Sequence, residues 1–165
     1  MNDILIETCS YIYKNPGLSR YRYIKEMSSR SIWKHSNVED KIDYLSQLGI
    51  LKEYKKYNSR YNKEYIVLEV DIFEYVKFYN IKFNNEIFLN VLAYIFNHPK
   101  KSCKTYEKDF SDMFDDKNLN KKYLDCFFKL RNNSVLKLKN EYFNDYKYDG
   151  LRIDFHELKS FVMND

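Results

Sequence analysis

Ser10-Tyr11-Ile12-Tyr13-Lys14-Asn15-Pro16 is answered 83 residues later by Ala93-Tyr94-Ile95-Phe96-Asn97-His98-Pro99. Each stretch reads as the end of an amphipathic helix stopped by a proline. Working outward, Gly49-Ile50-Leu51-Lys52 returns as Ser134-Val135-Leu136-Lys137, at a spacing of 85. Tyr65-Ile66-Val67-Leu68-Glu69-Val70 aligns with Gly150-Leu151-Arg152-Ile153-Asp154-Phe155, again at 85. Three landmarks at nearly one spacing imply two copies of one small domain, with about two residues inserted early in the second. The copies are expected over residues 1–80 and 84–165.

The first copy predicts a helix from about Asp3 to Lys14, with Ile4, Leu5, Cys9 and Ile12 on one face. A second helix is expected from Ser19, its N-cap, to Ser28, with Tyr21, Ile24 and Met27 inward. Ser36-Asn37-Val38-Glu39 reads as a capping box opening a third helix, with Val38, Ile42, Leu45 and Leu48 inward. Gly49 ends it. Ile50–Tyr57 and Lys63–Val70 read as a hairpin in which Ile66, Leu68 and Val70 alternate inward. A short helix, about Asp71–Tyr79, closes the copy. The second copy predicts helices over about Glu86–Asn97, Cys103–Phe114 and Lys117–Asn132. Their inner faces carry Phe88, Val91, Leu92 and Ile95, then Tyr106, Phe110 and Met113, then Tyr123, Phe127 and Leu130. A hairpin over Val135–Phe155 and a last helix over His156–Met163, capped by His156, follow. The fold class is α+β, mostly helical.

Composition bounds the function. No run of 18 apolar residues exists to span a membrane, and Met1-Asn2-Asp3 lacks the basic start of a signal peptide. Cys9, Cys103 and Cys126 are odd in number and far apart, which argues for a reducing compartment and against a disulfide framework. The chain has 17 Tyr and 12 Phe but a single alanine, Ala93. Asn, Lys, Ile, Tyr and Phe have A/T-rich codons, so abundance alone carries no functional argument. Position does: Lys14–Lys63 holds twelve cations against five acids, whereas the whole chain is only +4. The second copy is near neutral, with an acidic run at Asp109, Asp112, Asp115 and Asp116.

Two helices, a short break, a third helix, then Leu48-Gly49-Ile50-Leu51 leading into a two-stranded hairpin: this order resembles the winged helix-turn-helix family, in two tandem copies. The resemblance implies that helix three enters the major groove of DNA and that the hairpin, the wing, touches the phosphate backbone or minor groove. By position, the groove-facing candidates are Arg30, Ser31, Trp33, Lys34, His35, Ser36, Asn37 and Lys41. The wing candidates are Lys55, Lys56, Asn58, Ser59, Arg60, Tyr61 and Lys63. Arg30 and Lys34 have the donors for guanine O6 and N7, and Asn37 suits adenine. The wing cations suit phosphates, and Asn58, Ser59 and Tyr61 can fix register. Each has a plainer reading: a solvated lysine face, a buried strut for Trp33, ordinary strand tyrosines for all but Tyr61.

No glycine-rich phosphate loop is available from Gly17, Gly49 and Gly150, and no serine, histidine and carboxylate arrangement stands out. The spacing of His98, Cys103 and Cys126 matches no zinc pattern. The expectation is therefore a cytoplasmic, nucleoid-associated DNA-binding protein, not an enzyme, without metal or cofactor. It would be a transcription regulator of an A/T-rich organism or mobile element, homodimeric through its second copy, which could also dock a protein. The alternatives are a plasmid or phage replication initiator, or a protein-binding scaffold of the kind that tandem winged helices form in ESCRT-II subunits and the condensin-associated segregation protein B.

Overall fold

The computed structural model describes the backbone of residues 2–33, 37–143 and 146–164, and the side chains of these except 2, 31 and 139–149. It is an α+β structure, mostly helical, divided into a first unit ending at Phe78 and a second beginning at Tyr79. The first unit runs α1 (Asn2–Lys14), α2 (Arg20–Ser28), a 3-10 turn (Ser31–Trp33), α3 (Val38–Gln47), β1 (Leu51–Asn58), β2 (Lys63–Val70) and α4 (Ile72–Tyr79). The second runs α5 (Glu86–Asn97), α6 (Cys103–Asp112), α7 (Lys117–Asn132), β3 (Leu136–Phe143), β4 (Tyr146–Ile153) and α8 (Phe155–Asn164). β1 pairs antiparallel with β2, from Leu51 opposite Val70 to Asn58 opposite Lys63. β3 pairs with β4, from Leu136 opposite Ile153 to Phe143 opposite Tyr146.

The units repeat each other bond by bond. Tyr23 on α2 donates its hydroxyl to the Asn15 carbonyl (2.6 Å), and Tyr106 on α6 donates to the His98 carbonyl (2.5 Å). Tyr11 donates to Glu26 (2.7 Å), and Tyr94 to Asp109 (3.0 Å). Each of these four positions recurs at a spacing of 83. Both rings that reach a carbonyl are fully buried, so the bond satisfies a hydroxyl that burial would otherwise leave costly. Burial also raises the Tyr23 pKa to about 12, which keeps it a donor. Cys9 and Leu92 occupy the same core position, as do Met27 and Phe110, and all four are inaccessible.

The third helix of each unit ends in the same motif. Gly49 N–H reaches the Ser46 carbonyl and Ile50 N–H the Leu45 carbonyl, both at 3.0 Å. Ser134 N–H reaches Arg131 (2.9 Å) and Val135 N–H reaches Leu130 (3.0 Å). This Schellman closure needs a left-handed residue at its corner: Gly49 has φ +74° and Ser134 has φ +60°. An aspartate after each hairpin closes the hairpin base and starts the last helix. Asp71 N–H bonds the Ile50 carbonyl (2.7 Å) and Asp154 N–H the Val135 carbonyl (2.8 Å). Asp71 Oδ1 caps α4 by accepting from Phe73 and Glu74 N–H, and Asp154 Oδ1 caps α8 by accepting from His156 and Glu157 N–H. Lys52 pairs with Asp71, and Lys137 with Asp154 at 2.7 Å.

Several expectations change. The residue capping α8 is Asp154, whose Oδ1 accepts from the His156 backbone N–H. The third sequence landmark shifts by two, because Val70 corresponds to Ile153 and Asp71 to Asp154, a spacing of 83. Four residues join β1 to β2 and two join β3 to β4. The second copy thus gains two residues before its third helix and loses two at its hairpin tip. On α2 the buried tyrosine is Tyr23, and Tyr21 is 71% exposed. The cap of α3 is Asn37, whose side chain accepts from Asp40 N–H (3.3 Å); Ser36 lies outside the described residues. Leu48, the C-cap of α3, and Ile66 sit at the surface, at 36% and 37% exposure. Val67 takes the buried place, bridged to Ser19 in the chain entering α2. The equivalent link in the second unit is Leu151 N–H to the Lys101 carbonyl (3.1 Å). Met113 is half-buried.

Candidate nucleic-acid interface

The β1–β2 hairpin carries the wing candidates together. Lys55, Lys56, Ser59, Arg60, Tyr61 and Lys63 are exposed and Asn58 is half-buried. Asn58 builds the tip: its Oδ1 accepts from Arg60 N–H (3.0 Å) and its carbonyl from Tyr61 N–H (3.3 Å). Asn62 takes the left-handed corner at φ +50°, a conformation that asparagine tolerates better than most residues, and its side chain bonds the Tyr57 hydroxyl. Residues opposite each other in an antiparallel pair share a face. Lys56, Asn58, Lys63 and Tyr65 therefore line one side of the hairpin, and Lys55, Tyr57, Glu64 and Ile66 the other. Among the described residues, Lys55 has an acid at 3.9 Å (Glu64), while Lys56, Arg60 and Lys63 make no ion pair. The Arg60 guanidinium lies over the Tyr61 ring, 5.6 Å from its centroid.

The groove-facing candidates do not assemble in the same way. Trp33 is 3% exposed, its Nε1 directed to Thr8 Oγ1 (3.3 Å) and its ring edge-on to Tyr11. It is a strut between the 3-10 turn and α1, and cannot touch a base without unpacking. Arg30 lies over the face of Tyr11, 4.5 Å from the centroid, with Nη2 at 3.4 Å from the Tyr11 hydroxyl. Asn37 is exposed, with its side-chain oxygen committed to the cap of α3. Lys41 is half-buried. Ser31 contributes the first residue of the 3-10 turn. Lys34, His35 and Ser36 lie outside the described residues.

The exposed ridge of α3 consists of Glu39, Asp40, Asp43, Tyr44 and Gln47. It holds three acids and no cation, so the positive excess of the first copy does not sit on its third helix. Two of these acids turn toward Arg20. Its Nη2 is 2.6 Å from Asp43 and 3.8 Å from Glu39, and its Nη1 is 2.9 Å from Glu53 on β1. Burial opposes the Arg20 charge, but the bond and charge of Asp43, with Glu53 and Glu39, outweigh it and raise its pKa further. This cation joins α2, α3 and β1 and is spent inside the protein.

α7 is the reverse. It is sixteen residues long against ten for α3, and carries Lys117, Lys121, Lys122, Lys129 and Arg131 against Asp125. Lys117, Lys121 and Lys122 are exposed on its first half. The charge count of the whole copy concealed this, because the acids that balance it lie on α6 and in the chain leading to α7. A helix-by-helix count would have found it.

Among the described residues, no cluster of three or more His, Cys, Asp or Glu side chains is placed to hold a metal ion, and no helix is long and apolar enough to cross a membrane. The chain matches no protein family, no curated protein and no solved structure.

Proposed function

We propose that the chain is a tandem winged-helix protein that binds double-stranded DNA, with the first unit's hairpin as the element that grips the phosphate backbone, in the service of transcription control. The observation that carries this reading is the hairpin itself: Lys56, Arg60 and Lys63 stand exposed on a protruding two-stranded arm without an internal counter-charge among the described residues. Cations so placed are free to neutralise phosphates and release counterions. The order of elements supports the winged-helix assignment, as does the isolated antiparallel bridge from Ser19 to Val67, which ties the chain entering α2 to β2. Base reading by α3 receives no such support, because its exposed ridge is acidic. The proposal therefore rests on backbone grip first, with sequence choice left to the 3-10 turn, the residues between it and α3, and α7. Joining of two chains through the second unit belongs to the same proposal, and light scattering at micromolar concentration tests it.

Titrating the full chain against mixed-sequence duplex at several salt concentrations tests the DNA reading. Replacing Lys55, Lys56 and Arg60 by alanine should weaken binding to all sequences alike and shrink the salt slope by roughly 0.9 for each phosphate no longer neutralised. Absence of duplex affinity at about 50 mM salt would overturn it. The acidic ridge of α3, with Tyr44 exposed among its carboxylates, favours the second reading, a scaffold that docks a basic protein partner on that face.

A further inference from the structure

Beside the hairpin, on the side that carries Lys63 and Tyr65, lies an open cleft of about 530 Å³. One wall is the hairpin end, with Tyr61, Lys63 and Tyr65; the other is the turn from α1 into α2, with Gly17 and Arg22. We propose that this cleft receives an unpaired nucleotide, its base stacked on a tyrosine and its phosphate held between Lys63 and Arg22. The inference rests on the nucleic-acid reading above and deepens it: the hairpin would hold not only duplex backbone but a base that has left the helix or belongs to a single-stranded end.

The volume lies within the ~300–1,000 Å³ that small-molecule sites span. The chemistry of the walls narrows the choice. Tyr61 is 63% exposed, and exposure of a large ring next to cations is the arrangement that binds bases through their faces irrespective of sequence. Arg60 covers one face of Tyr61, which leaves the other for a base. Neither Tyr61 nor Tyr65 stacks on another ring among the described residues. Lys63 and Tyr65 are two apart on one strand, so both project from one face. Arg22 binds Glu26 through Nε (3.2 Å) and Nη2 (2.9 Å), which fixes its guanidinium and leaves Nη1 uncommitted. Glu64 also borders the cleft, but it sits on the other face of the strand from Lys63 and Tyr65, with its carboxylate 3.9 Å from Lys55. Gly17 borders the cleft in open space, where a Cβ would meet nothing within 4 Å, and its φ of +82° turns the chain from α1 into α2.

The test measures binding of the full chain to four probes: a blunt duplex, the same duplex with an unpaired thymidine extension, the extension strand alone, and thymidine monophosphate. The extended duplex and the single strand should bind more tightly than the blunt duplex. Tyr61→Leu should remove that advantage, lowering the ratio of extended- to blunt-duplex affinity by roughly 5- to 150-fold, whereas Tyr61→Phe, which keeps the ring and loses only the hydroxyl, should retain it; Tyr61 is exposed enough for both variants to fold. Lys63→Gln should lower the salt slope for the single strand, and photocrosslinking with iodouracil in the extension should mark Tyr61 or Tyr65. Tight binding of the monophosphate alone would assign the cleft to a free nucleotide and overturn the inference. Equal affinity for blunt and extended duplex overturns it too and leaves the duplex reading standing. Single-strand binding without duplex binding does the opposite. Absence of binding to all four probes removes both.

Discussion

α3 and α7 hold the same place in their units and end in the same hydrogen-bonded corner, yet α7 begins earlier and exposes lysines there that α3 has no room for. The buried series matches: Val38, Ile42 and Leu45 on α3 correspond to Tyr123, Phe127 and Leu130 on α7. Outside, α3 shows Glu39, Asp40 and Asp43, whereas the exposed Lys117, Lys121 and Lys122 of α7 all precede Tyr123, in the added start of the helix that α3 lacks; over the matched span Asp40 is answered by another exposed acid, Asp125. Upstream the difference is structural. The first unit interrupts the chain with a 3-10 turn anchored by Trp33, whereas α7 starts about six residues sooner, from its Asp116 cap. What is shared is what packing demands: tyrosine hydroxyls on carbonyls, a left-handed corner, an aspartate at the hairpin base. Solvent places no such demand on the outer surface, so a helix can be lengthened there and gain charge without disturbing the interior.

Core truncation breaks the comparison hardest. Ile42→Ala should cost about 2–5 kcal/mol and Phe127→Ala about 3–5 kcal/mol, read by chemical denaturation. The ring leaves the larger void among Tyr106, Phe110 and Phe128, which lie 5.5–5.9 Å from it by centroid. A cost below about 1 kcal/mol for either would mean that the two interiors are not equivalent.

The helix corners should answer with opposite signs. Gly49→Ala has room, since its Cβ would meet only Glu74 Cγ at 3.9 Å, but at φ +74° it should cost about 1–2 kcal/mol. Ser134→Gly relieves the same strain and should raise thermal stability, offset in part by the greater freedom of glycine in the unfolded chain.

The capping aspartates should behave alike. Asp71→Ala and Asp154→Ala should each cost about 0.5–2 kcal/mol. Burial pushes both carboxyl pKa values up, but the Lys52 and Lys137 bonds, with the backbone donors, outweigh it and hold both below the ordinary range. Because the folded pKa is depressed, this contribution is present above the unfolded value of about 3.9 and disappears as pH falls through the folded value. Denaturation midpoints should drop at acid pH less steeply in each alanine variant than in the parent.

The smallest effect concerns the outer ridges. Lys121→Ala with Lys122→Ala should reduce the salt slope of duplex binding by up to roughly 0.9 per lysine. Asp40→Asn on α3 should leave it unchanged or raise affinity slightly. If the lysine pair has no effect, α7 does not face nucleic acid and the charge contrast between the helices marks a protein-docking surface.

Much of the fold is legible because the chain repeats. Alternation and turn chemistry place the boundaries of the first hairpin and Gly49 to within a residue or so; the second hairpin, expected over Val135–Phe155 with its tip near residues 144–150, instead ends at Ile153, and its second strand already begins at Tyr146. They do not place the phase of α2: in a nine-residue helix Tyr21-Ile24-Met27 and Tyr23-Met27 both suit a 3.6 period. The repeat holds the answer, since Tyr23 matches Tyr106 at the spacing of the first landmark. The third landmark misleads because two β-rich stretches align at several registers, and only Asp71 and Asp154 fix the right one. Trp33 is hidden for a different reason. Its burial depends on a partner at Thr8, 25 residues away, which local pattern does not reveal. At the candidate site the residues of the β1–β2 hairpin are legible together, because a hairpin brings sequence neighbours into one place. The cleft is not, because Arg22 and Lys63 meet only through the fold.

The two hairpins differ by two residues at their tips and by none at their bases, where Asp71 and Asp154 make the same bond to the chain leaving the third helix. The first arm is thus clamped at the root and exposed at its turn, so its length can change without a message reaching the core. The turn Ser59–Asn62 is accordingly a port in the molecule: a place to graft a peptide, a fluorophore or the tip of a related arm, and so to rewrite what this surface touches while leaving the body of the domain as it is.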